Sequence, residues 1–345
     1  MDDSVSLILV AGGLILGIIF GAVVQRSRLC MLAAVSNRVL MGDRRQIDAY
    51  LVAVAVAILG TQAIESGGWV AIAESSYRSA RIDWLGASLG GLMFGFGTAL
   101  AGGCAARILV GAAEGSGGAL LALLTFALAA TATQFGALEP VRVWVLSATA
   151  IESTDGSSSL AVLLGVPPWG LAAAVAGTCL WIVCAPTRGD RNFGLLAAGS
   201  VVGALVVAGW WITGYLAQDE FATVRPASLT FSGPVARASE YLMAGRASGN
   251  GFEVSLAAGI LGGAWLSSLL SRRWRWVPPD PGHVLHVLSG GTLMGVGAIL
   301  AGGCNIGQGL SGMSTLSLGS LLALVGILLG MRLGIAWLER TERVG

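Results

Sequence analysis

Residues 90–104 read GGLMFGFGTALAGGC and residues 290–304 read GGTLMGVGAILAGGC. Nine of these fifteen positions are identical, at a gapless offset of 200 residues. Each copy is an apolar run laced with glycine that ends on two glycines and a cysteine. Each is followed by a short small-residue stretch and then another long apolar run. Such a match marks an internal duplication, which must be recognised before any fold is assigned. Extended outward, it gives one unit over residues 1–138, a joining segment over 139–192 and a second unit over 193–345.

The composition says where such a chain lives. Of 345 residues, 55% are hydrophobic and 11% charged, with a mean hydropathy of +0.78. Soluble domains carry about 25% charged residues, so a water-facing surface cannot be built from this chain. A net charge of +1 offers no footprint for a nucleic acid. All twenty basic residues are Arg, which excludes lysine Schiff-base and P-loop chemistry. Cys30, Cys104, Cys179, Cys184 and Cys304 form no metal-binding or disulfide spacing. His283 and His286 lie three apart without a nearby cysteine, which reads as a solvated helix entry rather than a metal pair. No metal or cofactor is expected. The start Met1-Asp2-Asp3 is acidic where a secretion signal is basic, so the first apolar stretch is read as a retained span.

A span needs about 20 mostly apolar residues. Nine stretches qualify, near 5–24, 47–64, 84–103, 117–138, 169–185, 193–217, 252–271, 283–303 and 316–337. Shorter apolar pieces near 29–41, 104–113, 143–150 and 234–244 read as re-entrant half-helices, tolerated at depth only beside protein or a wet cavity. With the N-terminus outside, thirteen arginines fall on inner connections and six on outer ones, with Arg332 inside the last span. The positive-inside rule then places the C-terminus in the cytoplasm. Four spans per unit and one joining span force the units into opposite orientations. The expected fold is an all-α polytopic bundle in the inner (plasma) membrane, built as an inverted repeat. In many transporters that architecture holds its substrate at the repeat interface.

The repeated ending carries the chemistry. Gly102-Gly103 and Gly302-Gly303 break the long helices and allow close backbone approach. A short helix then starts at Cys104 or Cys304, and a helix N-terminus offers unpaired N–H groups to an anion. The first unit has a further short helix after Gln25-Arg26-Ser27-Arg28-Leu29-Cys30. The same 74-residue step back from Cys304 lands on Thr230, in Thr230-Phe231-Ser232-Gly233-Pro234. Four half-helix tips are therefore expected to converge, three bearing cysteine and one bearing Thr230 or Ser232. Cys179 and Cys184, inside the joining span, read as small buried hydrophobes. Arg28 and Arg26 stand between interface anchors and ligands. Asn305 and Gln308 either line a pathway or satisfy backbone. No intramembrane carboxylate is evident, so no proton relay is legible. GxxxG spacing at Gly13/Gly17/Gly21 and Gly326/Gly330/Gly334 reads as close helix packing.

At QRSRLC (ending in Cys30), GGLMFGFGTALAGGC, AGGCNIGQGLSG, RNFG (191–194) and TFSGP (230–234), the chain resembles the YeeE/YedE family of sulfur-transport membrane proteins. The resemblance runs through nearly the whole chain. It implies an hourglass-shaped bundle in which Cys30, Cys104 and Cys304 contact a small sulfur-containing anion, thiosulfate in the best-understood branch and selenium-related species in others. It also implies a separate cytosolic sulfur-carrier protein of the TusA type, because no such domain follows Arg340. A non-enzymatic transporter in the lipid bilayer is the reading that results. A membrane sulfurtransferase carrying persulfide on a cysteine is its competitor, and a channel for other small solutes, with packing cysteines, is a third.

Overall fold

A computed structural model describes residues 3–152, 158–185, 192–218, 224–244 and 251–344. Arg188, Arg191, Asp219, Glu220 and Arg246 fall outside them. The first unit holds α1 (Asp3–Ser27), α2 (Met31–Leu40), α3 (Arg45–Ser66), α4 (Trp84–Leu100), α5 (Ala105–Ala113) and α6 (Gly117–Gln134). The joining segment holds α7 (Glu139–Thr149), α8 (Leu160–Leu163) and α9 (Pro168–Cys184). The second unit holds α10 (Phe193–Trp211), α11 (Ser232–Ala244), α12 (Phe252–Leu270), α13 (Val284–Leu300), a π-helical turn (Gly307–Gly312) and α14 (Leu318–Val344). A two-residue ribbon pairs β1 (Arg81–Ile82) with β2 (Ile151–Glu152) antiparallel.

The protein is an all-α polytopic membrane protein. Every expected span coincides with a helix. Among the described residues seven helical stretches are long and apolar enough to cross a membrane, while α9 and α13 are shorter apolar helices of 17 residues each. The short pieces are helices too, and α7 begins earlier than the apolar pattern suggested, at Glu139, because Pro140 suits a first helical turn. Local signals set the other boundaries. Ser116 accepts a hydrogen bond from the Ala119 amide to cap α6, and Asn192 does the same for Leu195 in α10. The α4 and α13 helices stop where Gly102 (φ +72°) and Gly302 (φ +68°) turn left-handed. The amides of Gly103 and Gly303 reach back to the Thr98 and Ala298 carbonyls, 3.1 and 2.8 Å away, a glycine closure that satisfies orphan helix-end carbonyls.

The helices pack in corresponding pairs. Helix α1 lies on α12 as α10 lies on α3, and α4 lies on α14 as α13 lies on α6. Glycine makes all four contacts close. An added methyl would come within 2.5 Å of the Leu14 carbonyl at Gly259, the Ala53 carbonyl at Gly203 and the Ala323 carbonyl at Gly91, and within 2.6 Å of the Phe126 carbonyl at Gly295. In lipid, such backbone approach replaces the hydrophobic force that drives helices together in water. Residue numbers rise together along each of these pairs, so their helices run parallel.

At the centre, α4 crosses α13 the other way. Gly90 faces Ala301 while Gly290 faces Ala101, and Gly97 faces Met294 while Gly297 faces Phe94. The two matched segments run antiparallel, and their contacts exchange when one copy is swapped for the other. This crossing brings the ends of α4 and α13, and the short helices that follow them, into the core.

Candidate functional site

In the first unit, Arg28 adopts φ +54° and turns the chain out of α1. Gln46 of α3 holds the chain there: its Oε1 accepts the Cys30 N–H at 3.1 Å, and its Nε2 donates to the Arg28 carbonyl at 3.4 Å. Cys30 then occupies the N-cap of α2, and Cys104 the N-cap of α5. Their sulfurs are 3.7 Å apart and buried, as free thiols. Cys30 Sγ lies toward the amides of Leu32, Ala33 and Cys104, and Cys104 Sγ toward those of Arg107 and Met31. Neither thiol closes a capping hydrogen bond, so two short helices present N-terminal amides at one pair of thiols. Such amides are suited to an anion.

The second unit repeats the arrangement with one substitution. Cys304 is fully buried, and its Sγ accepts the Gly307 N–H at 3.5 Å. The amides of Ile306 and Phe231 and the hydroxyl of Thr230 also lie around it. Phe231 stands to Cys304 as Met31 stands to Cys104, 200 residues apart in both cases, and Thr230 takes the place of Cys30. The helix after Cys304 is a π-turn rather than a regular helix. Gly307 is required there, because a methyl on it would meet Thr230 Oγ1 at 2.5 Å. Ser311 donates to the Leu229 carbonyl at 2.7 Å, tying this turn to the chain before α11.

The structure thus gathers Cys30, Cys104, Cys304, Thr230, Gly103, Gly303, Asn305 and Gln308 in the interior, with the Gly102 and Gly302 turns beside them. Gln308 braces backbone: its Nε2 donates to the Ala301 carbonyl at 2.6 Å, and its Oε1 accepts from Ser320 at 2.6 Å. Thr230 approaches Cys304, whereas Ser232 opens α11 and is buried against a cavity. Arg28 is exposed at the turn out of α1, where its left-handed backbone and Gln46-held carbonyl shape the bend. Among the described residues no group of three or more His, Cys, Asp or Glu could hold a metal.

A polar cavity of about 380 Å³ leads to Thr230 and Gln308. Arg142, Arg237, Glu253, Tyr77 and Ser320 contribute to its walls. Arg237 pairs with Glu253 at 2.5 Å. Beyond α5, Gln25 accepts from Ser267 at 2.9 Å and donates to Glu114 at 3.2 Å. Glu114 in turn pairs with Arg107 at 2.9 Å. These bonds bind the far end of α5 to α1 and α12.

Sequence reading missed Tyr50, which lies in α3 and is 6% exposed. Asn305 Nδ2 donates to its hydroxyl at 3.2 Å, and that hydroxyl is within electrostatic reach of Cys30, Cys104 and Cys304. A tyrosine in an apolar helix carries no local mark of such a role. Gln46 was missed for the same reason, although a Gln at the first turn of a membrane helix is a weak signal of a buried polar partner.

The family described as Sulphur transport matches residues 26–333. The chain is 27% identical over 343 residues to the "Thiosulfate transporter TsuA" of Escherichia coli (strain K12), covering 94% of this chain and 93% of that protein. It is 30% identical over 328 residues to the "Thiosulfate transporter TsuA" of Spirochaeta thermophila, covering 92% and 96%. A shorter match, 30% identical over 104 residues, joins 30% of the chain to 24% of the "Probable transporter YedE" of Escherichia coli (strain K12).

Proposed function

We infer the function from one premise: the chain belongs to the sulphur transport family. It is a membrane transporter of a small sulfur-containing anion, and we propose thiosulfate as that anion, the cargo named for relatives that align over nearly its full length. The observation that carries the reading is the pair of crossings, Cys30–Cys104 and Thr230–Cys304. Each sets sulfur against amides at the starts of two short helical segments. In this reading thiosulfate enters the polar cavity, exchanges water for amides at Thr230 and Cys304, and passes to the Cys104–Cys30 pair. Thiols offer weak, polarizable contacts to both the oxygens and the terminal sulfur. Several weak sites suit conduction, because an ion must leave as readily as it enters.

The same reading takes the chain as an inverted duplication of units 1–138 and 193–345, narrowing like an hourglass where they cross. The exchange of contacts between α4 and α13 supports this. The N-terminus is outside and the C-terminus in the cytoplasm of the inner membrane, a reading supported by the arginine distribution. A separate TusA-like carrier would receive the sulfur on the inner face. The chain acts as a conductor of the ion and performs no covalent chemistry on it.

Uptake of radiolabelled thiosulfate into proteoliposomes, challenged with sulfate, sulfite and selenite, tests the reading. Wild-type protein should accumulate the intact ion, and Cys104→Ala and Cys304→Ala should each lower uptake by about tenfold, the scale of one lost hydrogen bond to a charged group. Unchanged uptake by both variants, correctly inserted, would remove the thiols from the pathway. Recovery of label only as a modified product would replace transport with sulfur transfer.

A further inference from the structure

The centre of the molecule holds two polar groups that its protein partners leave incomplete. The Tyr50 hydroxyl accepts a hydrogen bond from Asn305 Nδ2 at 3.2 Å, and none of the described hydrogen bonds is donated by that hydroxyl. Asn305 is fully buried, and its Oδ1 has no hydrogen-bond partner. Unpaired polar atoms at such depth are rare in native proteins and call for an explanation such as an unoccupied ligand or water position. A purely structural Tyr–Asn bond gives no reason to leave a phenol proton free in a site without bulk water, where each unmade bond costs about 1–3 kcal/mol.

The position of the hydroxyl narrows the explanation. It lies within electrostatic reach of Cys30, Cys104 and Cys304, members of both crossings, and the Asn305 that donates to it directly follows Cys304 in the chain. The thiols are soft groups suited to the terminal sulfur of the cargo, whereas a phenol O–H is a hard donor suited to oxygen. The amide of Asn305 donates into the phenol oxygen, and a donor that itself accepts a bond is polarised toward giving its proton.

We infer that Tyr50 reads the oxygen end of the anion, donating its phenol proton to a sulfonate oxygen while the terminal sulfur lies among the thiols. This rests on the transport reading above and adds to it a specificity residue. Asn305 is then a positioning residue that orients and polarises the phenol.

The test uses the full-length protein in proteoliposomes with radiolabelled thiosulfate. Tyr50→Phe should raise the KM for thiosulfate about tenfold, as loss of a hydrogen bond to a charged group does. The rate at which a methanethiosulfonate reagent blocks the thiols should not change. 3-Fluorotyrosine placed at position 50, nearly the same shape and a stronger donor, should lower KM below that of wild type. It also carries the test should the Phe variant fail to insert. A KM indifferent to both changes would overturn the inference while leaving transport intact. A wild-type protein that takes up no thiosulfate would instead overturn the transport reading, and this inference with it.

Discussion

The two crossings are built on one backbone plan and finished with different chemistry. In the first, two thiols face each other 3.7 Å apart over regular helices. In the second, a thiol faces a threonine hydroxyl over a π-turn whose Gly307 lets Thr230 approach. The shared part is what the membrane demands: helix ends buried in protein, closed by left-handed glycines, with amides aimed at a common point. In the proposed pathway an ion would meet the two crossings in succession. A thiol–thiol pair is softer than a thiol–hydroxyl pair, so on that proposal the Cys30–Cys104 crossing would favour sulfur and the Thr230–Cys304 crossing oxygen.

The largest expected effect strikes the shared plan. Gly90→Val and Gly290→Val each drive a side chain into backbone, since even a methyl would lie 2.5 Å from the Ala301 or Ala101 nitrogen. Each should cost about 3 kcal/mol or more through overpacking, seen as loss of a monodisperse peak after detergent extraction. Tolerance of one but not the other would break the equivalence of the two copies.

Next comes an exchange of chemistry between the crossings. Cys30→Thr, which gives the first crossing the groups of the second, should lower thiosulfate uptake by about tenfold. Thr230→Cys should leave uptake within about twofold, because it keeps every sulfur contact and adds another polarizable one. If the two swaps were equally harmful, softness would not be what distinguishes the ends.

An oxidant sharpens the same contrast. Diamide should close a disulfide between Cys30 and Cys104, as their proximity permits, blocking uptake until dithiothreitol restores it. Cys30→Thr should abolish that sensitivity, and Thr230→Cys should introduce a second diamide-sensitive pair with Cys304. Persistence of the block in Cys30→Thr would mean that another thiol responds.

The smallest effects fall outside both crossings. Cys179→Ala should leave uptake unchanged, since Cys179 packs among Ala55, Ala176 and their neighbours. Asp280→Asn should be equally silent. The His283 ring and the Gly282 amide hold the Asp280 carboxyl below the usual carboxylate range. Any stabilisation from that pair is present above the ordinary pKa and fades as pH falls through the lowered one. The group is fully exposed, so melting curves at pH 7 and pH 3 should not separate this variant from wild type.

Much of this architecture was legible in advance, for identifiable reasons. Apolar runs bounded by Arg, Pro or Gly marked the helices because lipid tolerates few other backbones. The 74-residue step from Cys304 to Thr230 found a neighbour of Cys304 because the spacing from Cys30 to Cys104 recurs there. Tyr50 and Gln46 escaped because their partners Asn305, Arg28 and Cys30 lie on other segments, and neither residue belongs to a repeated motif. The conformational part of Arg28 was equally illegible: nothing local in the sequence marks a left-handed arginine at the end of a helix.

Composition, periodicity and self-similarity by themselves determined that this chain lies in a membrane, where its helices break, and which positions correspond. These are properties of contiguous segments and of the solvent around them. Only the tertiary structure decided that Cys30 meets Cys104 and not Cys304, that Thr230 rather than Ser232 approaches the remaining thiol, and that Tyr50 bonds to Asn305 beside Cys304. Those outcomes depend on how closely helices approach across glycine, which is set by packing between segments hundreds of residues apart.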